Sequence, residues 1–184
     1  MQTCAGLESG IEASIHSMRT IYNHPDTDAM LLVDAENAFN NLNRKAAIHN
    51  IKQLCPPFHR FISNTYQLPA KLHINSPGYS DHILSDEGSA QGDVAAMAMY
   101  AIGIRPLIDK LSHDMERNTC SQVWYVDDSL CAGKFLEMRK WWETLNMSCP
   151  KFGYFPKPSK FVLIVKDVEN LIKHGKHSLV QKSR

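Results

Sequence analysis

Trp124-Tyr125-Val126-Asp127-Asp128 places two adjacent carboxylates at the end of a short β-prone run, residues 123–126. Small and polar residues follow, Ser129-Leu130-Cys131-Ala132-Gly133, so the stretch reads as a hairpin with the acidic pair at its tip. Adjacent carboxylates repel each other, and the arrangement is costly unless a cation or a basic group sits beside it. A divalent metal is the commonest reason to build one. Asp-Asp is also an ordinary turn dipeptide, so a solvated turn is the competing reading. Companion acids elsewhere in the chain decide between the two.

One companion is Asp34. It closes the apolar run Ala29-Met30-Leu31-Leu32-Val33, which reads as a buried strand. The residues after it, Ala35-Glu36-Asn37-Ala38-Phe39-Asn40, lack the Asp/Asn alternation and central glycine of a calcium loop of the EF-hand kind. Asp34, Asp127 and Asp128 are therefore three carboxylates at two strand ends. Hard oxygen donors of this kind suit Mg²⁺ or Mn²⁺, which are held by one or two carboxylates plus substrate phosphates. Two such ions about 3.5–4 Å apart form the clamp used for in-line phosphoryl transfer. A third element is the glycine-punctuated loop Glu87-Gly88-Ser89-Ala90-Gln91-Gly92-Asp93, which leads into an Ala- and Met-rich, helix-prone stretch. Gly92 lets backbone approach a ligand closely, and a helix start beside it favours anions.

These segments, in this order, resemble the palm of reverse transcriptases. Asp34-Ala35-Glu36-Asn37-Ala38-Phe39-Asn40 looks like the family's first catalytic motif, an acid with an aromatic residue five positions later. Glu87 to Asp93 looks like the Gln-Gly motif that opens the palm helix. Tyr125-Val126-Asp127-Asp128 looks like the Tyr-x-Asp-Asp box, and Gly153-Tyr154-Phe155-Pro156-Lys157-Pro158-Ser159-Lys160 like the Gly-to-Lys motif after it. The wording Asn37-Ala38-Phe39-Asn40 is closest in flavour to non-LTR retrotransposon enzymes.

The resemblance implies roles. Asp34 and Asp127 would be the principal ligands of two Mg²⁺ (or Mn²⁺) ions, with Asp128 as the adjacent acid. The backbone carbonyl of Ala35 would also face a metal. Phe39 would lie beneath the sugar of the incoming nucleotide and exclude a 2′-hydroxyl by shape. Gln91 and Gly92 would line the nucleotide and template side. Lys160, or less favourably Lys157, would protonate the leaving pyrophosphate, a contribution of roughly 10²–10⁴-fold. The implied activity is RNA-directed DNA synthesis: transfer of a deoxynucleotide from a dNTP to a primer 3′-hydroxyl on an RNA template. Two alternatives stand beside it, a noncatalytic or domesticated remnant that works as an interaction module, and an RNA-dependent RNA polymerase. Phe39 argues against the latter.

The elements that must position these residues follow from periodicity. Helix 5–22 carries Leu7, Ile11, Ile15, Met18 and Tyr22 at three-to-four spacing. Strand 29–34 and helix 44–54 come next, the helix capped by Asn41 or Asn43. Helix 58–66 is followed by strands 71–75 and 82–84 around a Ser76-Pro77-Gly78 turn. A long helix spans 90–115, bent near Gly103 or Pro106. After the acidic hairpin come helix 134–147, with Phe135, Met138, Trp142 and Leu145 on one side, and strand 161–165. Alternation sends one of Trp124 and Tyr125 into the core. The order predicts an α+β fold, a polymerase palm with one antiparallel sheet and helices on one face, plus a partial fingers segment. The expected division is 1–28 partial fingers, 29–166 palm and 167–184 basic tail.

Bulk properties narrow the class. The chain has 184 residues, 43% hydrophobic and 21% charged, an ordinary globular composition. No apolar stretch approaches the roughly 18–20 residues of a membrane span, and residues 1–10 carry no secretory signal pattern, so an intracellular location in cytoplasm or nucleus is expected. Cys4, Cys55, Cys120, Cys131 and Cys149 are scattered and read as reduced thiols without a zinc pattern. The net charge of +1 is small for a protein that grips a polyanion. Basic groups gather late, at Lys151, Lys157, Lys160 and Lys166 and then Lys173, Lys176, Lys182 and Arg184. Arg19 is the single cation before Asp34, so the triphosphate-gripping fingers and the thumb of the family are expected on further segments of a longer parent protein.

Overall fold

The computed structural model describes residues 8–115 and 120–169. The expected fingers piece around Cys4 and the tail lysines from Lys173 onward lie outside them. The centre is a four-stranded antiparallel sheet in the order β4-β5-β1-β6, built from β1 (Ala29–Val33), β4 (Cys120–Tyr125), β5 (Asp128–Gly133) and β6 (Val162–Val165). The apolar run of β1 is central because it is buried on one face and half-covered on the other. Ala29, Leu31 and Val33 are buried, and Met30 and Leu32 are intermediate.

Register aligns the side chains across the strands. Trp124, Ser129 and Val33 form one line on the core face, and Val123, Leu130, Leu32 and Val162 form the next line on the opposite face. Trp124 is the buried partner of its pair with Tyr125, as alternation requires.

The helices are α1 (Gly10–Asn23), α2 (Ala38–Asn41), α3 (Arg44–Leu54), α4 (Pro56–Tyr66), α5 (Ala96–Gly103), α6 (Arg105–Asp114) and α7 (Phe135–Ser148). On the core face, α7 sets Trp141 against Trp124, with ring centroids 6.5 Å apart. Gln122 draws this layer together: it accepts from the indole N–H of both Trp124 and Trp141, and donates to the carbonyl of Ile108 on α6. Trp141, and not Trp142, completes the buried stripe of α7 with Phe135, Met138 and Leu145. Trp142 is half-buried and meets Phe161 edge-on at 5.1 Å.

Two expectations about the helices are corrected. Helices do not occupy one face alone. α1 lies across the opposite face, where Ile11, Ile15 and Met18 and the line Val123-Leu130-Leu32-Val162 border a groove of about 380 Å³. Met18 is buried, whereas Ile11 and Ile15 stay largely open to this groove. The long helix is also two shorter ones, and it begins at Ala96 rather than Ala90. Asp93 makes the difference at the start: its carboxylate accepts from the amide of Ala95 at 2.8 Å and closes a turn that Gly92, at φ 88°, has opened. The break falls at Ile104, because Pro106 lacks the N–H a continuous helix would need. The carbonyl of Gly103, left without its helical donor, accepts from Asn50 Nδ2 at 2.7 Å.

Elsewhere the local chemistry acts as anticipated. Asn43 caps α3 by accepting from the Ala46 amide at 3.0 Å. Asn41 instead reaches back to the carbonyl of Glu36. The expectation of one antiparallel sheet is corrected: β2 (Ala70–Ser76) and β3 (Tyr79–Ser85) pair only with each other, as a separate exposed hairpin. The four described cysteines are free thiols. Among the described residues, no helix is long and apolar enough to cross a membrane.

Gly153 shows why the Gly-to-Lys stretch begins with glycine. It takes φ 71°, and a Cβ there would meet the carbonyl oxygen of Asn41 at 1.8 Å and the amide nitrogen of Asn43 at 2.4 Å. Both obstacles are backbone, and the amide of Asn43 donates to the carbonyl of Phe152 beside them. Gly153→Ala should lower stability by about 2 kcal/mol or more, the combined effect of a forbidden φ and overpacking. A drop in Tm of at least about 4 °C in thermal unfolding is the expected reading. An unchanged Tm would show that this close approach is not fixed.

Candidate active site

The pairing of Val33 with Ser129 puts the next residue of β1, Asp34, beside Asp128 at the start of β5. Asp127 occupies the two-residue turn between β4 and β5, where Tyr125 pairs with Asp128. The first and last acids of the sequence pattern, nearly a hundred residues apart, thus meet at one sheet end. Asp34 and Asp127 are half-buried, and Asp128 is exposed.

The turn is strained. Val126 takes φ 56°, an outlying conformation for a β-branched residue in a position that favours glycine. Its side chain is nevertheless buried, which holds it there. Tyr154 fixes the other side of the turn. Its hydroxyl donates to the Asp127 carbonyl at 3.0 Å and lies 3.3 Å from Ser129 Oγ, while its ring meets Trp124 at 5.4 Å. Burial pushes the Tyr154 phenol well up, so it remains a neutral donor. Strain held by packing and a buried hydrogen bond is characteristic of functional turns.

Electrostatics ties the acids together. Burial raises the carboxyl of Asp127 above its ordinary range, and the charges of Asp128 and Asp34 raise it further. Burial and then Asp34 raise Asp128. Lys160 opposes both shifts and meets Asp34 directly, Nζ to Oδ2 at 2.6 Å. That hydrogen bond raises the Lys160 ammonium above its usual value. Lys157 pairs with Glu36 at 3.1 Å instead. The segment carrying both lysines runs alongside the Asp34 segment: the amide of Lys157 donates to the Asp34 carbonyl at 2.9 Å, the amide of Glu36 donates to the Phe155 carbonyl at 2.7 Å, and Ala35 bridges to Pro156. Among the described residues, no three His, Cys, Asp or Glu side chains stand together in metal-holding geometry. Asp34 has an ammonium for its partner.

Phe39 lies half-buried on α2, its ring 5.3 Å from that of Tyr100 on α5. Tyr100 is fully buried, and its phenol is raised by burial and by the charges near it, Asp127 included. Gln91 and Gly92 are exposed in the turn before α5. The loop just upstream is bound to the Phe39 segment, through the Ser89 amide to the Phe39 carbonyl at 2.7 Å and the Gly88 amide to the Leu42 carbonyl at 3.0 Å. The structure therefore assembles Asp34, Asp127, Asp128 and Lys160 as one group and Phe39 with the 88–92 loop as a second. Tyr154, Ser129, Tyr100 and Arg44 were not singled out by the sequence reading. A buried tyrosine usually finds a partner for its hydroxyl, and Tyr154 inside the Gly-to-Lys motif carried that signal, whereas the buried Tyr100 hydroxyl has no hydrogen-bond partner among the described residues.

The fold has counterparts among solved structures. The chain resembles apo telomerase from Candida tropicalis with a TM-score of 0.70 at 14% identity, over 90% of this chain and 34% of the other. Candida tropicalis telomerase in complex with a TWJ fragment of telomeric RNA matches with a TM-score of 0.70 at 14% identity, over 99% and 32%. Candida albicans telomerase with the same kind of RNA fragment matches at 0.60 and 10%, over 89% and 31%. The fold is thus like that of part of these telomerase chains. The chain spans about a third of the length of these solved chains. No protein-family model and no curated protein sequence matches it.

The raised carboxyls have a consequence for stability. A carboxyl whose folded pKa lies above its unfolded one adds stability below the unfolded value, and loses it as pH rises through the folded value. At neutral pH the ionised Asp127 therefore works against folding. Asp127→Asn should raise the Tm by roughly 1–3 °C at pH 7 in the presence of a chelator, and the gain should shrink toward about pH 4. A lower Tm for the variant at pH 7 would contradict this electrostatic picture.

Proposed function

We propose that this chain is the palm of an RNA-directed DNA polymerase, with Asp34, Asp127 and Asp128 as its catalytic carboxylates. The observation that carries the reading is the meeting of Asp34 with the Asp127-Asp128 turn at one sheet end. The telomerase-like fold supports it. The proposed division is 1–28 as part of the fingers, 29–166 as palm and 167–184 as a basic tail, within a longer retrotransposon-type protein that supplies the remaining fingers and thumb.

The chemistry of the donor set, carboxylate oxygens at one sheet end, is that of a hard divalent cation, although with Asp34 paired to Lys160 the side chains do not stand together in metal-holding geometry. Burial and the Asp34 charge raise the carboxyls of Asp127 and Asp128, and the demand for positive charge is met in part by Lys160. Asp34 and Asp127 would hold two Mg²⁺ or Mn²⁺ ions, with Asp128 supplying further negative charge. The ions would lower the pKa of the primer 3′-hydroxyl and neutralise the triphosphate. The chain's own share is positioning. Tyr154 and the strained Val126 hold the Asp127 backbone, so that its carboxylate is preorganised. Phe39, whose ring packs on Tyr100, would exclude a 2′-hydroxyl by shape. Lys160, released from Asp34 when that carboxylate is otherwise neutralised, is the ammonium nearest to donate a proton to the leaving pyrophosphate. Gln91 and Gly92 would face the nucleotide and template.

A second reading is favoured by one observation. Asp34 is already paired with Lys160, which suits a noncatalytic module that keeps the fold and neutralises its own acids. The lysine of that pair is open to solvent, however, and ion pairs of this kind are easily exchanged.

Primer extension on an RNA template with dNTPs and Mg²⁺, using the chain joined to fingers and thumb segments, separates the readings. Metal-dependent products that vanish with Asp127→Ala are expected. No product, or equal product from Asp127→Ala, would leave the noncatalytic reading standing. In the same assay, Phe39→Ala should raise ribonucleotide incorporation by about tenfold or more, because the exclusion is by shape. Unchanged sugar selectivity would remove Phe39 from that role.

A further inference from the structure

Arg44, the first residue of α3, is a buried arginine whose guanidinium pairs with no carboxylate among the described residues. It is 6% exposed. Its guanidinium spends its donors on backbone carbonyls of the loop before Gln91: Nε to Gly88 at 2.9 Å, Nη1 to Ser85 at 3.0 Å and Nη2 to Glu87 at 2.7 Å. The Glu87 carboxylate reaches back and accepts from the Arg44 amide at 3.0 Å. The same guanidinium lies over the Tyr66 ring, 5.5 Å from its centroid. Tyr66 continues the connection into the next part of the loop. Its hydroxyl donates to the Asp93 carboxylate and accepts from the Ala90 amide at 3.2 Å. Residues 85–93 are thus gripped at both ends from α3 and α4, with Gln91 and Gly92 between the grips.

The grip presses the loop onto the segment that carries Phe39. Gly88 takes φ 70°, and a Cβ there would meet the carbonyl oxygens of Phe39 at 2.4 Å and Asn40 at 2.5 Å. The Ser89 amide donates to the Phe39 carbonyl at 2.7 Å. The Phe39 ring meets that of Tyr100 at 5.3 Å. The backbone of Phe39 is therefore held by a loop whose place is set by Arg44, and its ring by Tyr100 on α5.

We infer that Arg44 is a positioning residue for sugar discrimination, fixing Phe39 and the Gln91-Gly92 turn as one unit. The inference rests on the polymerase reading and deepens it by naming what holds the sugar gate. A planar fork with five N–H groups can serve three diverging carbonyls at once. A lysine ammonium in the same place is a point donor that cannot, so Arg44→Lys keeps the charge and loses the grip. A gate residue misplaced by a fraction of an ångström passes substrates it should reject, since small displacements near a reacting centre carry large rate effects.

The test uses the form of the protein that extends primers, and reads the ratio of kcat/KM for a dNTP to that for the matching rNTP. Arg44→Lys should lower this ratio by roughly tenfold. It should also speed amide hydrogen exchange at Gly88 and Ser89, which reports the grip without reference to activity. In a Phe39→Ala background the same substitution should leave the ratio where Phe39→Ala alone put it, because Arg44 acts through the ring. An unchanged ratio in an active Arg44→Lys enzyme would overturn the inference, as would a further fall in the double variant or unchanged exchange at both amides. A purely structural role would lower Tm and leave the ratio alone. A wild-type protein that extends no primer would defeat the polymerase reading itself, and this inference with it.

Discussion

The pairing of Val33 with Ser129 is the constraint on which the rest of the site depends. A shift of one residue between β1 and β5 would turn Asp34 to the other face of the sheet and separate it from the acidic turn. The register is held by burial on the core side, where Val33, Ser129 and Trp124 stand in line beneath Tyr154 and Trp141. Ser129 belongs to that line because a small polar residue can take the Tyr154 hydroxyl where a larger one would displace it. The same apolar layer therefore stabilises the sheet and fixes the distance between acids contributed by distant parts of the chain.

Around that register the molecule keeps an unfavourable arrangement in place. Three carboxylates share one sheet end, a valine occupies a left-handed turn position, and two glycines let backbone segments approach closer than any side chain would allow. Each feature costs stability. They are supported by groups that are fully committed elsewhere: Tyr154 to the Asp127 carbonyl, Arg44 to three loop carbonyls, Gln122 to two tryptophans. Lys160 is the exception. Its partner is the exposed oxygen of Asp34, an interaction that another cation could replace.

Much of this was legible in the sequence, for reasons that differ from element to element. Helix Arg44–Leu54 was readable to the residue because Asn43 caps it and Pro56 stops it. The acidic hairpin was readable because β-branched and aromatic residues lead into an Asp-Asp turn. The start of α5 was misplaced because Ala and Met propensity is local, whereas Asp93 and Gly92 impose turns that propensity does not weigh. Helix α1 on the second face escaped prediction because its apolar stripe fits either side of a sheet. Trp141 and Trp142 were exchanged because adjacent tryptophans offer a helix two equally apolar choices, and only Gln122 on β4 decides between them. Arg44 was invisible for a related reason. An arginine at a helix start reads as a surface charge until the carbonyls that bury it are known.

The central claim is that Asp34, Asp127, Asp128 and Lys160 form one net-negative centre whose acids accept a divalent cation in exchange for the lysine. Titration of the chain with Mn²⁺, followed by the loss of the free-ion paramagnetic resonance signal, tests it most directly. The account predicts saturable binding that is weakened by Asp127→Asn and tightened by Lys160→Met, since the second change removes the competing ammonium from Asp34. Binding indifferent to both substitutions, or no binding at millimolar Mn²⁺, would contradict it.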